Sequence, residues 1–360
     1  RQACQLAFLQ AGAELQVGRA EDCPLAPEVL ARTTGAKPHV VATMSSGLTA
    51  WVHRLRLDGR DWALKLARPE CLVKNADGQT SFLNEIQRRV EFAALKRQPV
   101  GSERFKGIAD TTYASLRQGL IVSPWIAGGP VRVWDARRLE QFFALGAELV
   151  LGGFFEWDFC SGNIIDGADH IQLFDFGYMY RFDPLRHFNS AGSGTSAPQF
   201  HLAERFESRN YFAVLLQVES TQGMSAALAA FRLEKTIAID AYRRLHSRLA
   251  SLGATDEVCD LIEAITRDWD AALRSDLLPL YRREGWRSHT LDLEDDLHGR
   301  TCTPMTLRRA DWLLGALKSD FDSLVAARTF SAHDAAGRQQ ELIALYAGKR
   351  ETAASLQTPG

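Results

Sequence analysis

The sequence has no C-x-x-C pair and no cysteine grouped with histidine at zinc spacing; its six cysteines stand far apart, at positions 4, 23, 71, 160, 259 and 302. That scatter predicts reduced thiols in a reducing compartment, and hence a cytoplasmic location. No run of about 18 apolar residues occurs, which argues against a membrane-spanning helix. The net charge is only −2 over 360 residues, with a pI near 6.6. No global basic field points to nucleic acid or an anionic membrane surface, so any phosphate chemistry has to be local. There is no internal repeat. The chain opens on Arg1 instead of Met, in keeping with a fragment or a processed form. What is present, 46% hydrophobic and 24% charged residues, is globular composition with length enough for two lobes.

Residues 1–36 hold short apolar stretches and a Pro-rich turn, Cys23-Pro24-Leu25-Ala26-Pro27, and read as an extension ahead of the first domain. From His39 the pattern becomes β-rich: "HVVATM", "AWVHRLRL" and "DWALKLA" alternate, separated by Ser-Ser-Gly and by Asp58-Gly59-Arg60, which predicts three consecutive antiparallel strands. Thr80 to Leu95 has helical period, with Phe82, Ile86, Arg89, Val90 and Ala93 within about 80° of one direction. "GLIVSPWI" is one more buried strand, and it runs into the breaker Ala127-Gly128-Gly129-Pro130. Beyond it a helix over 135–151 ends at Gly152-Gly153, "SAGSGTSAP" (190–198) reads as a loop, and helical periods cover 211–232, 234–251, 256–275 and 305–327 before a polar tail.

Four features carry chemistry. Ser45-Ser46-Gly47-Leu48-Thr49-Ala50 lies between two strands and keeps the small residues of a phosphate-covering turn, with one glycine; a plain hairpin turn is the alternative. Lys65, on the third strand among apolar neighbours, is a point cation suited to phosphate oxygens. Twenty residues on, Glu85 flanks the inward stripe of the helix and can pair with Lys65, whereas Glu91 lies about 180° from Phe82 and should face water. Lastly, Asp158-Phe159-Cys160-Ser161-Gly162-Asn163 gives D-x-x-x-x-N, and Asp175-Phe176-Gly177 follows after a hairpin's length. One carboxylate there can accept a proton from an attacking hydroxyl, while an amide oxygen and a second carboxylate hold Mg²⁺ against phosphates.

In this order the four features resemble the protein kinase superfamily over roughly residues 39–215. The resemblance implies an α+β, bilobal protein kinase-like fold with a small antiparallel β-rich N-lobe and a larger helical C-lobe. Its parts would be an extension at 1–36, an N-lobe at 37–126, a C-lobe at 127–232 and a helical extension with polar tail at 233–360. It implies ATP and Mg²⁺ as cofactors, with Ser46, Gly47, Lys65, Ser123 and Trp125 binding nucleotide, the last two as an adenine hinge. Lys65 and its partner Glu85 would act with the catalytic Asp158, and Asn163 and Asp175 would ligate metal. Glu156-Trp157-Asp158 replaces the H-R-D of eukaryotic-type kinases, and no A-P-E segment follows Gly177. In both respects the chain is more similar to bacterial phosphotransferases of the aminoglycoside-phosphotransferase and choline-kinase type, and to small bacterial kinase-like proteins. The implied activity is transfer of the γ-phosphate to a hydroxyl, preferably on a small molecule. Protein phosphorylation, AMP transfer and a pseudokinase acting as a binding module stay open.

Other residues have plainer readings. Cys160 reads as loop packing in preference to a catalytic thiol, because acidic neighbours disfavour thiolate. Glu156 reads equally as an organiser of the loop backbone or as a solvated carboxylate. The acidic run "DLEDDLH" (292–298) reads as a solvated face, and Trp269, Trp286 and Trp312 as packing.

Overall fold

The computed structural model describes residues 1–44, 47–73, 75–191, 200–330 and 339–358. It is a mixed α+β chain with a small antiparallel sheet and a larger helical region. Contacts divide it into two compact units: Arg1–Val131 with Gly162–Tyr180, and Arg132–Ser161 with Arg181–Gly360. The first crossing falls just after the 127–130 breaker. The stretch carrying Asn163 and Asp175 returns to the first unit.

That first unit is built on a six-stranded antiparallel sheet of β1 (Gln16–Val17), β2 (Val40–Met44), β3 (Ala50–Leu57), β4 (Arg60–Ala67), β5 (Tyr113–Ser115) and β6 (Leu120–Pro124), in the order β1-β5-β6-β4-β3-β2. Asp58 and Gly59 join β3 to β4 with φ of 50° and 73°, both positive as a two-residue hairpin turn requires. Alternation along β4 sends Leu64 and Leu66 into a core with Leu55, Leu120 and Val122. Lys65 therefore points to the opposite face, where Ile121 packs with Ile86 of the helix Ala76–Lys96. Asn75 caps that helix, accepting from Gly78 N at 2.7 Å.

Residues 1–36 do more than extend the chain. They supply the edge strand β1 and the helix Gln2–Gln10, whose Gln5 reaches into the unit to Asn84. The 127–130 breaker contains a two-residue strand, Gly129–Pro130, that pairs with Ile164–Asp166; a Cβ on Gly128 would lie 2.1 Å from Asp166 O. Ile164–Asp166 also pairs with Ile171–Leu173, in register Ile171↔Asp166 and Leu173↔Ile164, to make a short hairpin.

The second unit is helical, with helices Ala136–Leu151, Leu202–Phe206, Phe212–Gln222, Met224–Ser251, Asp256–Arg274, Leu278–Gly299, Pro304–Ser319, Phe321–Ala326 and Gln339–Ser355, and one π-helical turn, Glu207–Tyr211. Gly153 leaves the first of these with φ 73°, the left-handed exit expected of a glycine there. Three expectations shift. The break predicted near 233 falls at Gly223 (φ 88°), the segment 305–327 is interrupted at Asp320, and the closing residues carry a helix in place of a polar tail. Leu342, Tyr346 and Ala353 of that last helix are buried against Trp286, Leu293, Leu313 and Leu317, which is why it folds. The loop over 190–198 lies almost wholly outside the described residues. Among the described residues no helix is long and apolar enough to cross a membrane, and no disulfide joins the six thiols.

Candidate functional site

Lys65 Nζ donates to Glu85 Oε2 at 2.6 Å and to Asp175 Oδ2 at 2.7 Å. The strand, the helix and the turn after Leu173 thus bring three of the predicted site residues onto one ammonium. Arg89, one helical turn past Glu85, binds Glu85 Oε1 through Nη2 (2.7 Å) and Nε (3.0 Å) and reaches Phe174 O at 2.6 Å. Two cations and two carboxylates are interleaved, so each buried charge has an opposite neighbour. Burial works against charge on Lys65, yet Asp175 and then Glu85 outweigh it and raise its pKa. For Asp175, burial pulls upward but Lys65 prevails, with Gly177 N adding a hydrogen bond of 3.1 Å; the carboxyl is held below its ordinary range.

The turn at Asp175-Phe176-Gly177 is held from behind. Asn84, buried beside Glu85, donates Nδ2 to the carbonyls of Phe176 (3.2 Å), Gly177 (3.0 Å) and Met179 (2.7 Å), and its Oδ1 accepts from Gln5 Nε2 at 3.3 Å. Phe176 is fully buried, with its ring 5.3 Å from Phe92 and under the Arg89 guanidinium. Neither Asn84 nor Arg89 was expected as a site residue. For Arg89 a signal existed: a charged side chain in the apolar stripe of a helix needs a buried partner. Glu91, expected to face water, is half-buried and pairs with Arg88 at 2.9 Å.

Asn163 and Asp175 stand at the open end of the same hairpin, where Phe174 N donates to Asn163 O at 3.3 Å. Their oxygens are two of the hard ligands Mg²⁺ takes when phosphates and water complete the shell, and the ionised state of Asp175 suits a metal ligand. Among the described residues no group of three or more His, Cys, Asp and Glu is gathered to hold a metal by itself.

The expected nucleotide contacts are placed unevenly. Ser46 lies outside the described residues. Gly47 accepts Arg68 Nε at 2.8 Å, and a Cβ there would lie 2.5 Å from Ala50 O, so the turn tolerates only glycine without shifting. Ser123 is buried in β6 and its hydroxyl receives Arg89 Nη1 at 3.4 Å. Trp125 gives its backbone N–H to Asp61 O at 3.1 Å, and Arg54 stacks on its ring.

Asp158 belongs to the second unit. Its N–H goes to Glu156 Oε1 at 2.7 Å, so buried Glu156 organises the loop backbone, one of its two sequence readings. Arg209 of the π-helical turn donates Nε to Asp158 Oδ1 at 3.0 Å. Arg209 also binds Asp292, which corrects part of the reading of 292–298 as a solvated face: Glu294 and Asp295 are exposed as expected, but Asp292 is buried, and Asp296 accepts Thr306 Oγ1. Burial opposes the Arg209 charge, but Asp292 and Asp158 raise its pKa well above the ordinary value. Burial, with Asp292 adding, pushes Asp296 up to about 6. No family model matches the chain, and no curated protein matches it.

Proposed function

We propose that the chain is an ATP- and Mg²⁺-dependent phosphotransferase of protein kinase-like fold, acting on a hydroxyl. The observation that carries this reading is the Lys65 ammonium held between Glu85 and Asp175. A lysine so braced is aimed and kept charged, as a phosphate-binding cation must be. Lys65 holds phosphate oxygens, and Asn163 and Asp175 ligate the metal, which when bound neutralises charge on the β- and γ-phosphates. Asp158 orients the acceptor hydroxyl and takes its proton as that oxygen bonds to the γ-phosphorus and the bond to the bridging β–γ oxygen breaks, releasing ADP. A small hydroxylated acceptor is preferred, because no A-P-E segment is present to dock a peptide.

One observation favours a second reading, a binding module without chemistry: the Trp125 N–H, which a hinge would offer to adenine, is engaged by Asp61. A thermal-shift titration with Mg²⁺ and ATP, on the wild-type chain and Asp175→Ala, separates the two. The expected result is a metal-dependent stabilisation of roughly 2.7 kcal/mol at ~100 times the dissociation constant, absent in the variant. A folded wild-type chain that shows no shift overturns the phosphotransferase reading. Asp158→Ala should abolish turnover while keeping the shift; loss of binding instead would remove Asp158 from its assigned role.

A further inference from the structure

The helices Leu278–Gly299 and Pro304–Ser319 lie beyond the four features that carry the kinase resemblance, yet they carry the groups that hold Arg209. Asp292 uses both carboxylate oxygens on arginines: Oδ1 accepts from Arg209 Nη1, and Oδ2 lies 2.8 Å from Arg309 Nε. Arg309 is in turn fixed by Ser208 O at 3.0 Å and by His289 Nδ1 at 3.2 Å. Arginine can only donate, so Nδ1 of His289 is the acceptor; burial first and Arg309 second hold that ring's pKa well below its ordinary value, keeping it neutral. Asp158, Arg209, Asp292 and Arg309 therefore form a ladder of alternating charge that ends in the buried interior.

Such a ladder leaves Arg209 little freedom. Its Nη1 is pinned on Asp292, so Nε is presented to Asp158 Oδ1 in one orientation. The π-helical turn that carries Arg209 also offers Ser208 O to Arg309, so one irregular turn meets both ends of the ladder. We infer that Arg209 is a positioning residue for Asp158, and that the two C-terminal helices contribute to turnover by clamping it through Asp292 and Arg309. This rests on the phosphotransfer reading, and gives these helices a role in holding Asp158.

The test uses the full chain with Mg·ATP as the probe, water as acceptor, and release of inorganic phosphate as the readout. Arg209→Met should lower kcat about 10- to 100-fold, the range for a misplaced catalytic group, with KM for ATP within about twofold. Arg209→Lys should recover part of the loss. Asp292→Asn should lower kcat similarly, and the double variant Arg209→Met/Asp292→Asn should fall no further, because both act through one carboxylate. Arg209→Lys keeps a cation in the ladder and so serves if Asp292→Asn, which strands buried Arg309, does not fold. Losses that multiply, or a change in KM with kcat intact, overturn the inference alone. A wild-type chain with no Asp158-dependent release overturns the phosphotransfer reading and the inference with it.

Discussion

Lys65 and Lys235 are both lysines pinned between carboxylates, one in each unit, and their surroundings differ in charge balance and in access. Around Lys65 two carboxylates meet two cations, and Asp175 keeps 28% of its side chain exposed. Lys235 is bound to Glu207 and lies 3.6 Å from Glu234, and all three side chains have no exposure at all. Glu207 and Glu284 share Arg287, and among the described residues neither oxygen of Glu234 has a hydrogen-bond partner. Burial raises Glu234 to about 8 against the pull of Lys235, with Glu207 and Glu284 adding to the rise. The Lys65 cluster opens to solvent at Asp175, whereas the Lys235 cluster is sealed and its burial favours a proton on Glu234. Similar residues thus make a candidate site in one place and an internal brace in the other.

The sharpest way to break this comparison is Lys235→Met. It leaves buried carboxylates without their central cation and should cost roughly 3–5 kcal/mol, read as a lower urea midpoint. Lys65→Met should cost less fold stability, since Asp175 meets solvent, but should remove the Mg·ATP-dependent stabilisation of roughly 2.7 kcal/mol at ~100 times the dissociation constant. If Lys65→Met is the more damaging to the fold, the distinction between the solvent-open and the sealed cluster fails. Asn84→Ala takes the shared donor from Phe176 O and Gly177 O and should cost about 1–3 kcal/mol, with faster amide exchange around the Asp175 turn as a second readout.

Glu234→Gln has the smallest expected effect at neutral pH and the clearest sign. With a folded value near 8 and an ordinary value of 4.5, the folded chain keeps a proton that the unfolded chain releases. Stability from this group is complete below pH ~4.5 and is lost as pH rises toward 8. The glutamine variant should show a flatter fall in urea midpoint between pH 5 and pH 9. Asp175 acts in the opposite window: held down by Lys65, it contributes above its ordinary 3.8 and loses that contribution as pH falls through its lowered value.

Features governed by local period were legible in the sequence. Strands β2, β3, β4 and β6, the Asp58-Gly59 turn and the helix through Glu85 follow from alternation, turn chemistry and a 3.6-residue repeat. Strands β1 and β5, two and three residues long, are too short to show a period and exist because neighbouring strands supply partners, β6 for β5 and β5 for β1. The pairing of Lys65 with Glu85 was legible because strand and helix phases each aim one residue. Asn84, Arg209 and Asp292 were not, since what matters in them is a partner up to 95 residues away. In the run 292–298, Glu294 and Asp295 do face water, but composition could not tell that Asp292 is turned to arginine.

The hairpin that holds Asn163 and Asp175 bears on how relatives of this chain would be found. Its ladder closes between Ile164 and Leu173, while residues 167–170 only form the tip. The twelve-residue interval from Asn163 to Asp175 is therefore a strand length counted twice, plus a tip of arbitrary size. A relative with a longer tip, or a whole domain inserted there, would keep both oxygens in place and be missed by any search that fixes the interval. Deleting one residue from either strand would preserve the interval almost unchanged and turn Asn163 or Asp175 to the wrong face.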